Sequence, residues 1–293
     1  MKSQPPKVSV IFPVRNEGKN VKMTLDSLFS VKTNIEIEAI IVDDASTDNC
    51  CKFLSLYRFK EKVTYIRTEG VGPANARNLG ASRASFPYLA FCDAHMTFEN
   101  FWLDRLVFYL ASGASDAICP AIGSIDDPGV IGYGQSLTPS LKIRWHQKKK
   151  RLFETAILPG ACIVTSKKAF QDIEGFENGF SSWGHEDVEL SLKLWLFGYR
   201  CHCEPNVKVL HLFRVSHPYK VNYEGIYYNL MRMAYLHFDD NRVKKARTLI
   251  HYAAPSKIEK NVINDGVLIK RAHYFKKRKR DIEEVFNKFN IYF

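Results

Sequence analysis

The chain has 293 residues, of which 46% are hydrophobic and 25% charged, a composition typical of a globular protein with a sizeable core. It contains no run of about 18 apolar residues, and Pro5 and Pro6 interrupt its start, so we expect neither a membrane-spanning helix nor a secretion signal. Its seven cysteines have no paired spacing, which favours reduced thiols and a cytoplasmic location. The net charge of +11 predicts an anionic partner.

The first hundred residues alternate between strand-like and helix-like segments. Short apolar runs predict strands over residues 8–12, 35–42, 63–66 and 88–92. Apolar residues at helical spacing predict intervening helices over residues 20–31, 50–57 and 75–84. This order is typical of an α/β fold with a mostly parallel sheet that helices cover on both faces.

The remainder of the chain changes character near residue 219. Before that point the patterns predict helices over residues 101–113 and 188–197, and strands over residues 115–124, 161–165 and 207–212. Residues 126–151 are polar and irregular, and we expect them to close over a bound ligand. Two to four helices rich in basic and aromatic residues should follow. We therefore expect an α/β domain over residues 1–218 and a helical C-terminal extension over residues 219–293, which also offers a homodimer surface.

Three residues at predicted strand ends could hold a metal ion. Residues i and i+2 at the end of a strand point the same way, so Asp93 and His95 should converge on one point. His211 ends the last predicted strand, where a histidine is more often a core residue. Together the three side chains offer one oxygen and two nitrogen ligands, a set that suits Mn²⁺. An Asp-x-His triplet alone is more often a surface loop, so the prediction depends on His211 joining it.

A second candidate is the acidic pair Glu186-Asp187, which opens a predicted helix directly after Trp183-Gly184-His185. Acidic residues are common at helix starts because the helix dipole favours negative charge there. One of the two could instead be a general base that takes a proton from a substrate hydroxyl. Trp183 and Gly184 would then let that substrate approach closely.

Several motifs in the same order resemble glycosyltransferase family 2 on the GT-A fold, a Rossmann-like α/β fold. They are residues 10–17, 42–48, 70–80, 93–95 and 186–187. The resemblance covers roughly residues 7–215. It implies a nucleotide-sugar donor, first of all a UDP-sugar, outside the carboxyl ends of the strands. The residues that would contact the nucleotide are Pro13, Arg15, Glu17, Asp43, Asp44, Arg77 and Asp93.

The resemblance also implies the chemistry of the acidic pair. Asp187 matches the family 2 general base, which deprotonates the acceptor hydroxyl in a reaction that inverts the anomeric carbon. Glu186 lies beside it, and its charge would raise the pKa of Asp187. The donor-sugar and acceptor pocket would include Gly160, Ala161, Trp183, Gly184 and Arg214.

One departure points to a particular relative. His95 stands where many family 2 members have an aspartate, and this feature with the later His211-x-Phe-Arg214 is similar to the polypeptide N-acetylgalactosaminyltransferases. In those enzymes the metal is held at the positions of Asp93, His95 and His211, which implies Mn²⁺ or Mg²⁺ as cofactor. Arg214 would face the departing diphosphate. Those relatives retain the anomeric configuration, whereas Asp187 favours inversion.

The acceptor cannot be read from a motif. Basic clusters at residues 148–151 and 276–280 favour contact with an anionic membrane, so we expect a cell-envelope or lipid-linked glycan at its inner face, with a peptide or protein as the alternative. A nucleotidyltransferase would need a glycine-rich basic loop after the first strand, which residues 13–16 do not provide. A non-catalytic nucleic-acid binder fits the charge and the 13% of aromatic residues, but acidic strand ends would repel phosphate, so we expect no nucleic acid.

Overall fold

The structure is a computed structural model that describes residues 5–214, 216–251 and 254–293. Its strands are β1 Lys7–Val14, β2 Glu36–Asp44, β3 Val63–Thr68, β4 Tyr88–Cys92, β5 Met96–Phe98, β6 Ala117–Ser124, β7 Ile131–Leu137, β8 Ile143–His146, β9 Phe153–Glu154, β10 Cys162–Ser166 and β11 Cys201–His211. Its α-helices are α1 Asn20–Ser30, α2 Pro73–Arg83, α3 Trp102–Ala111, α4 Lys167–Asp172, α5 Glu186–Leu196, α6 Tyr223–His237, α7 Asp240–Thr248, α8 Pro255–Asn264, α9 Val267–Lys277 and α10 Ile282–Lys288.

All the strands belong to one curled sheet, whose main path runs in the order β3-β2-β1-β4-β10-β6-β11-β5. The four strands β3, β2, β1 and β4 pair in parallel, as the alternation of strands and helices predicts. From β10 onward the pairing is antiparallel except between β6 and β11. The carboxyl ends of β1, β2 and β4 therefore meet at one edge, beside the end of β11.

Both faces of the sheet are covered, which confirms the α/β fold class. Along β1 the side chains of Val8, Val10 and Phe12 pack into one apolar cluster with α1 and α3. Ile11 points to the other face and packs into a second cluster with α2, α5 and the C-terminal helices. The period of two along a strand produces this division, because successive side chains point to opposite faces.

Three expectations about local structure are wrong. Residues 126–151 do not form an irregular stretch, because β7 and β8 form an antiparallel hairpin there, joined to the sheet through β6. The predicted helix over residues 50–57 is a short 3₁₀ turn, Lys52–Leu56, followed by a second one, Lys60–Lys62. In the described part of residues 219–293 there are five helices, α6 to α10, instead of two to four.

The C-terminal helices share one core with the α/β region. Leu230 and Met231 of α6 belong to the same apolar cluster as Leu190 and Leu192 of α5. The boundary between residues 218 and 219 stays a prediction. Within residues 5–214, 216–251 and 254–293, none of the helices has both the length and the apolar content that crossing a membrane requires.

Candidate active site

A large cleft lies where the strand ends meet the start of α5. Its volume is about 1090 Å³, and its walls come from the loops after β1, β2 and β4, the end of β11, and the first turn of α5. It gathers almost every residue that the sequence predicts for the site: Pro13, Arg15, Glu17, Asp44, Arg77, Asp93, His95, Gly160, Ala161, Trp183, Gly184, Glu186, Asp187, His211 and Arg214. Asp43 is the one predicted residue that does not line it.

The predicted metal ligands meet in this cleft. Asp93 follows β4, His95 precedes β5, and His211 ends β11, which pairs with β5 so that His211 lies opposite Met96. Nε2 of His211 lies 3.0 Å from Nε2 of His95 and 3.2 Å from Oδ2 of Asp93. One ligand atom from each residue lies within 4.8 Å of the others. Two imidazole nitrogens and one carboxylate oxygen are a donor set that fits a borderline divalent ion such as Mn²⁺.

Glu17 and Arg214 form a second layer behind these ligands. Nδ1 of His95 lies 3.1 Å from Oε2 of Glu17, and Nη1 of Arg214 donates to Oε1 of Glu17 at 3.1 Å. If Nδ1 of His95 carries the proton that Glu17 accepts, Nε2 presents its lone pair to the point where the three ligand atoms converge. Burial opposes ionisation of Glu17, but His95 and Arg214 outweigh it and hold the pKa of this carboxyl below its usual value. The nucleotide contact expected of Glu17 stays a prediction.

Arg77 connects the metal-ligand cluster to the acidic pair. This buried side chain of α2 places Nη2 3.0 Å from Oδ1 of Asp93 and Nη1 3.3 Å from Oε1 of Glu186. The guanidinium therefore bridges the two halves of the cleft. Together with His211, it outweighs the effect of burial and keeps the pKa of Asp93 well below the usual value.

The two acids at the end of β2 bind neighbouring parts of the protein. Asp44 accepts backbone N–H groups of Val71 at 2.6 Å and Gly72 at 3.0 Å, which fixes the turn that opens α2. Gly72 has φ +83°, a conformation that favours glycine. Asp43 instead accepts from Tyr65 and Arg67 at 2.8 and 2.7 Å, so its carboxylate is held away from the cleft.

Two backbone N–H groups hold the carboxylate of Asp187 in the first turn of α5. Its Oδ2 accepts the N–H of Gly160 at 3.0 Å, and its Oδ1 accepts the N–H of Val188 at 2.8 Å. A Cβ at position 160 would lie 3.1 Å from Oδ2 of Asp187, so the glycine permits this close approach. Burial raises the pKa of Asp187, which differs from the sequence-based expectation that the charge of Glu186 is the cause. Burial raises the pKa of Glu186 as well.

Aromatic rings line the cleft beside the acidic pair, and of these the sequence predicted only Trp183. The Trp183 ring lies 4.8 Å from His217, whose ring lies 5.5 Å from Tyr219. The guanidinium carbon of Arg15 lies 5.4 Å from the Tyr219 ring centroid. Burial and nearby carboxylates raise the pKa of Tyr219 to about 12. Tyr219 falls just beyond the predicted domain boundary, so the expectation of a separate extension kept it out of the candidate list.

Comparison with known proteins agrees with this arrangement. The model of the family described as glycosyl transferase family 2 matches residues 9–174, which is more than half of the chain. The chain belongs to glycosyl transferase family 2. A second model, described as the N-terminal domain of galactosyltransferase, matches residues 143–220 of this family 2 chain. The sequence-based resemblance is thereby confirmed.

Similar curated proteins are polypeptide N-acetylgalactosaminyltransferases. Polypeptide N-acetylgalactosaminyltransferase 10 of Rattus norvegicus is 28% identical over 240 residues, which cover 74% of this chain and 39% of the relative. Polypeptide N-acetylgalactosaminyltransferase 8 of Drosophila melanogaster is 31% identical over 229 residues, which cover 71% of this chain and 38% of the relative. This family 2 chain thus spans about two fifths of the length of the curated relatives it matches.

Solved structures confirm the GT-A-like fold. A GalNAc-T7 crystal structure with UDP, GalNAc and Mn²⁺ aligns with a TM-score of 0.73 at 17% identity, over 99% of this chain and 57% of that one. A mannosyltransferase from Pyrobaculum calidifontis in complex with GDP-Man and Mn²⁺ aligns with a TM-score of 0.56 at 18% identity, over 93% of this chain and 74% of that one.

Proposed function

We propose that this chain transfers N-acetylgalactosamine from a UDP-linked donor to a hydroxyl group of a polypeptide, with the help of a divalent metal ion. The observation that carries the proposal is the combination found in one cleft. Ligand atoms of Asp93, His95 and His211 lie within 4.8 Å of one another, and Arg77 links Asp93 to Glu186 of the acidic pair at the start of α5. A donor diphosphate bound beside the three metal ligands and an acceptor hydroxyl bound beside the acidic pair would lie close to each other in this cleft.

Asp93, His95 and His211 would hold the metal. The two nitrogen ligands favour Mn²⁺ over Mg²⁺, which prefers an all-oxygen set. When bound, such an ion neutralises negative charge that develops on the departing diphosphate. Glu17 would keep His95 in the tautomer that presents Nε2. The nucleotide would lie along Pro13, Arg15 and Asp44, which line the same cleft.

Asp187 is the proposed general base. Its carboxylate takes the acceptor proton while the acceptor oxygen forms a bond to the anomeric carbon and the bond from that carbon to the phosphate oxygen breaks. The products are the glycosylated acceptor and UDP. Burial raises the pKa of Asp187, and a carboxylate with a raised pKa is a better proton acceptor. Because Glu186 is paired with Arg77, it is less free to accept that proton. Attack from the face opposite the diphosphate would invert the anomeric carbon.

A polypeptide acceptor replaces the cell-envelope glycan as the preferred reading. The curated relatives are named for polypeptide transfer. The argument for a membrane also weakens, because charges of the second basic cluster bind within the protein. Lys277 pairs with Glu174 at 2.7 Å, and Arg280 donates to the carbonyl of Trp195 at 3.0 Å. Peripheral contact with an anionic membrane, the cytoplasmic location and the homodimer stay predictions.

Transfer assays with competing acceptors test this function. Purified protein with UDP-GalNAc and Mn²⁺ would be offered serine- and threonine-containing peptides in one arm and a lipid-linked glycan in the other. We expect sugar on the peptide hydroxyl, detected by mass spectrometry, and a β-linkage by NMR, because the donor is α-linked. Transfer to the glycan alone would overturn the peptide acceptor. An α-linked product would show retention and remove Asp187 as the base.

A further inference from the structure

The helix that carries Glu186 and Asp187 lies almost entirely in the protein interior. Ten of the eleven residues of α5 are buried, and they include Glu189 and Lys193 with no exposed side-chain surface. Residues three and four apart lie on one face of a helix. Glu186, Glu189 and Lys193 therefore form one charged face that begins in the cleft and continues into the interior.

The middle of this charged face binds the end of α6. Nε2 of His237 lies 2.8 Å from Oε1 of Glu189, and Nζ of Lys193 lies 3.1 Å from the same oxygen. The His237 ring stacks on Tyr274 of α9, with centroids 5.7 Å apart and planes 6° from parallel. Burial alone would favour a neutral carboxyl, but Lys193 and His237 lower the pKa of Glu189, so it is an anion at neutral pH.

A second buried carboxylate extends the network to α9. Oε1 of Glu177 lies 2.9 Å from Nη2 of Arg232 in α6, and Oε2 lies 2.8 Å from Nζ of Lys270 in α9. The network therefore contains the carboxylates of Glu177 and Glu189, the cations of Lys193, Arg232 and Lys270, and His237. Removing either carboxylate takes the nearest counterion from a buried cation, Lys193 or Arg232, which proteins tolerate poorly.

Both ends of α5 are also held by C-terminal residues. Nδ2 of Asn229, a buried residue of α6, donates to the carbonyls of Ser182 and Gly184 at 2.9 Å each, in the turn that leads into α5. At the other end, Nη1 of Arg280 donates to the carbonyls of Trp195 and Tyr199 at 3.0 and 3.1 Å. A cation at a helix C-terminus satisfies carbonyls that lack partners within the helix.

We propose that the C-terminal region positions α5 through His237 at its middle, Asn229 at its start and Arg280 at its end, so that Asp187 stays aligned with the acceptor. His237 is the central positioning residue. The inference rests on the proposed function of Asp187. Buried ion pairs add little net stability over apolar packing, and their best-attested role is to fix one arrangement of helices. A small rotation or slide of α5 would move Asp187 relative to Gly160 and the reacting atoms. A displacement of about 1 Å at such a site costs about a hundredfold in rate.

Two substitutions of His237 separate positioning from bulk. His237→Phe keeps an aromatic ring against Tyr274 but removes the donor to Glu189, whereas the amide of His237→Gln can still donate. We expect His237→Phe to lower kcat about tenfold to a hundredfold while KM for the donor changes less than about threefold. We expect His237→Gln to stay within about threefold of the wild type in both constants. Hydrogen exchange over residues 186–196 should accelerate in His237→Phe and stay near the wild-type rate in His237→Gln.

A control variant accounts for loss of stability alone. Val262→Ala shortens a fully buried side chain of α8 and removes none of the contacts to α5 described above. It should lower the melting temperature and leave kcat unchanged. The proposal would be overturned if the two variants, Val262→Ala and His237→Phe, had similar melting temperatures and lost kcat equally. It would also be overturned if hydrogen exchange over α5 were unchanged in His237→Phe. If the wild type transfers no sugar, the proposed function fails, and the exchange rates still decide whether His237 fixes α5.

Discussion

Replacing Asp187 with asparagine separates catalysis from folding. Loss of a general base costs about 10²–10⁴-fold in rate, or about 2.7–5.5 kcal/mol of transition-state stabilisation. Asparagine has one oxygen where Asp187 uses two, so the N–H of either Gly160 or Val188 loses its acceptor, at about 1–3 kcal/mol. Removing a partly buried carboxylate with a raised pKa acts in the opposite direction, at about 1.4 kcal/mol per pKa unit. We therefore expect turnover to collapse while the melting temperature moves by less than about 5 °C.

The assay is UDP release in the presence of acceptor, recorded against pH with a melting curve for each protein. The raised pKa places the acid limb of wild-type kcat/KM above the usual value of 3.8, with activity lost as the pH falls through it. Asp265→Asn is the matched control, because Asp265 is exposed and outside the cleft. Turnover of Asp187→Asn above about a tenth of the wild-type value would refute the assignment.

Two further substitutions test the metal-ligand cluster and the packing of α2 on the sheet. Glu17→Gln should weaken Mn²⁺ binding about tenfold to a hundredfold, because the charge that orients His95 and pairs with Arg214 is lost; an unchanged affinity in a metal titration would remove this role. Gly80→Ala should destabilise the protein by about 1–3 kcal/mol, because a Cβ there would lie 2.4 Å from Cγ2 of Ile11; a melting temperature equal to that of the wild type would contradict this packing.

The sequence predicted the metal-ligand cluster because strand ends are local features with a fixed geometric meaning. Asp93 and His95 flank the junction of β4 and β5, and His211 ends β11. The topology of a parallel sheet brings such ends to one edge. Asp43 shows the limit of this argument, since it lies one residue before the end of β2 at the same edge and yet binds Tyr65 and Arg67.

The hairpin of β7 and β8 was missed because the sequence of β7 lacks the pattern typical of a strand. Residues such as Gly132, Gly134, Gln135 and Ser136 give β7 little β-propensity and no clean alternation of polar and apolar positions. Its stability comes from pairing with β6 and from contacts such as the N–H of Gln135 with Thr155, which lies twenty residues later. No window of a single sequence reports such contacts.

The internal partners of the basic cluster at residues 276–280 could not be predicted, for a similar reason. A run of charges is usually a solvated surface, and the sequence does not reveal which carbonyl groups come near it. In the structure Arg280 meets the last turn of α5, and the backbone N–H of Lys279 donates to the carbonyl of Leu196 at 2.7 Å. A charge pattern shows how many charged residues a segment carries, whereas the tertiary packing determines which groups those residues contact.

The most direct test of the account is whether UDP and Mn²⁺ bind together at the Asp93, His95 and His211 cluster. Melting curves would be recorded with each ligand alone and with both, for the wild type and for His211→Ala. At about a hundred times its dissociation constant a ligand stabilises the folded state by about 2.7 kcal/mol, which corresponds to a shift of about 5–10 °C. We predict that shift in the wild type with UDP and Mn²⁺ together, and its loss in His211→Ala. An equal shift by UDP without the metal, or an undiminished shift in His211→Ala, would contradict the account.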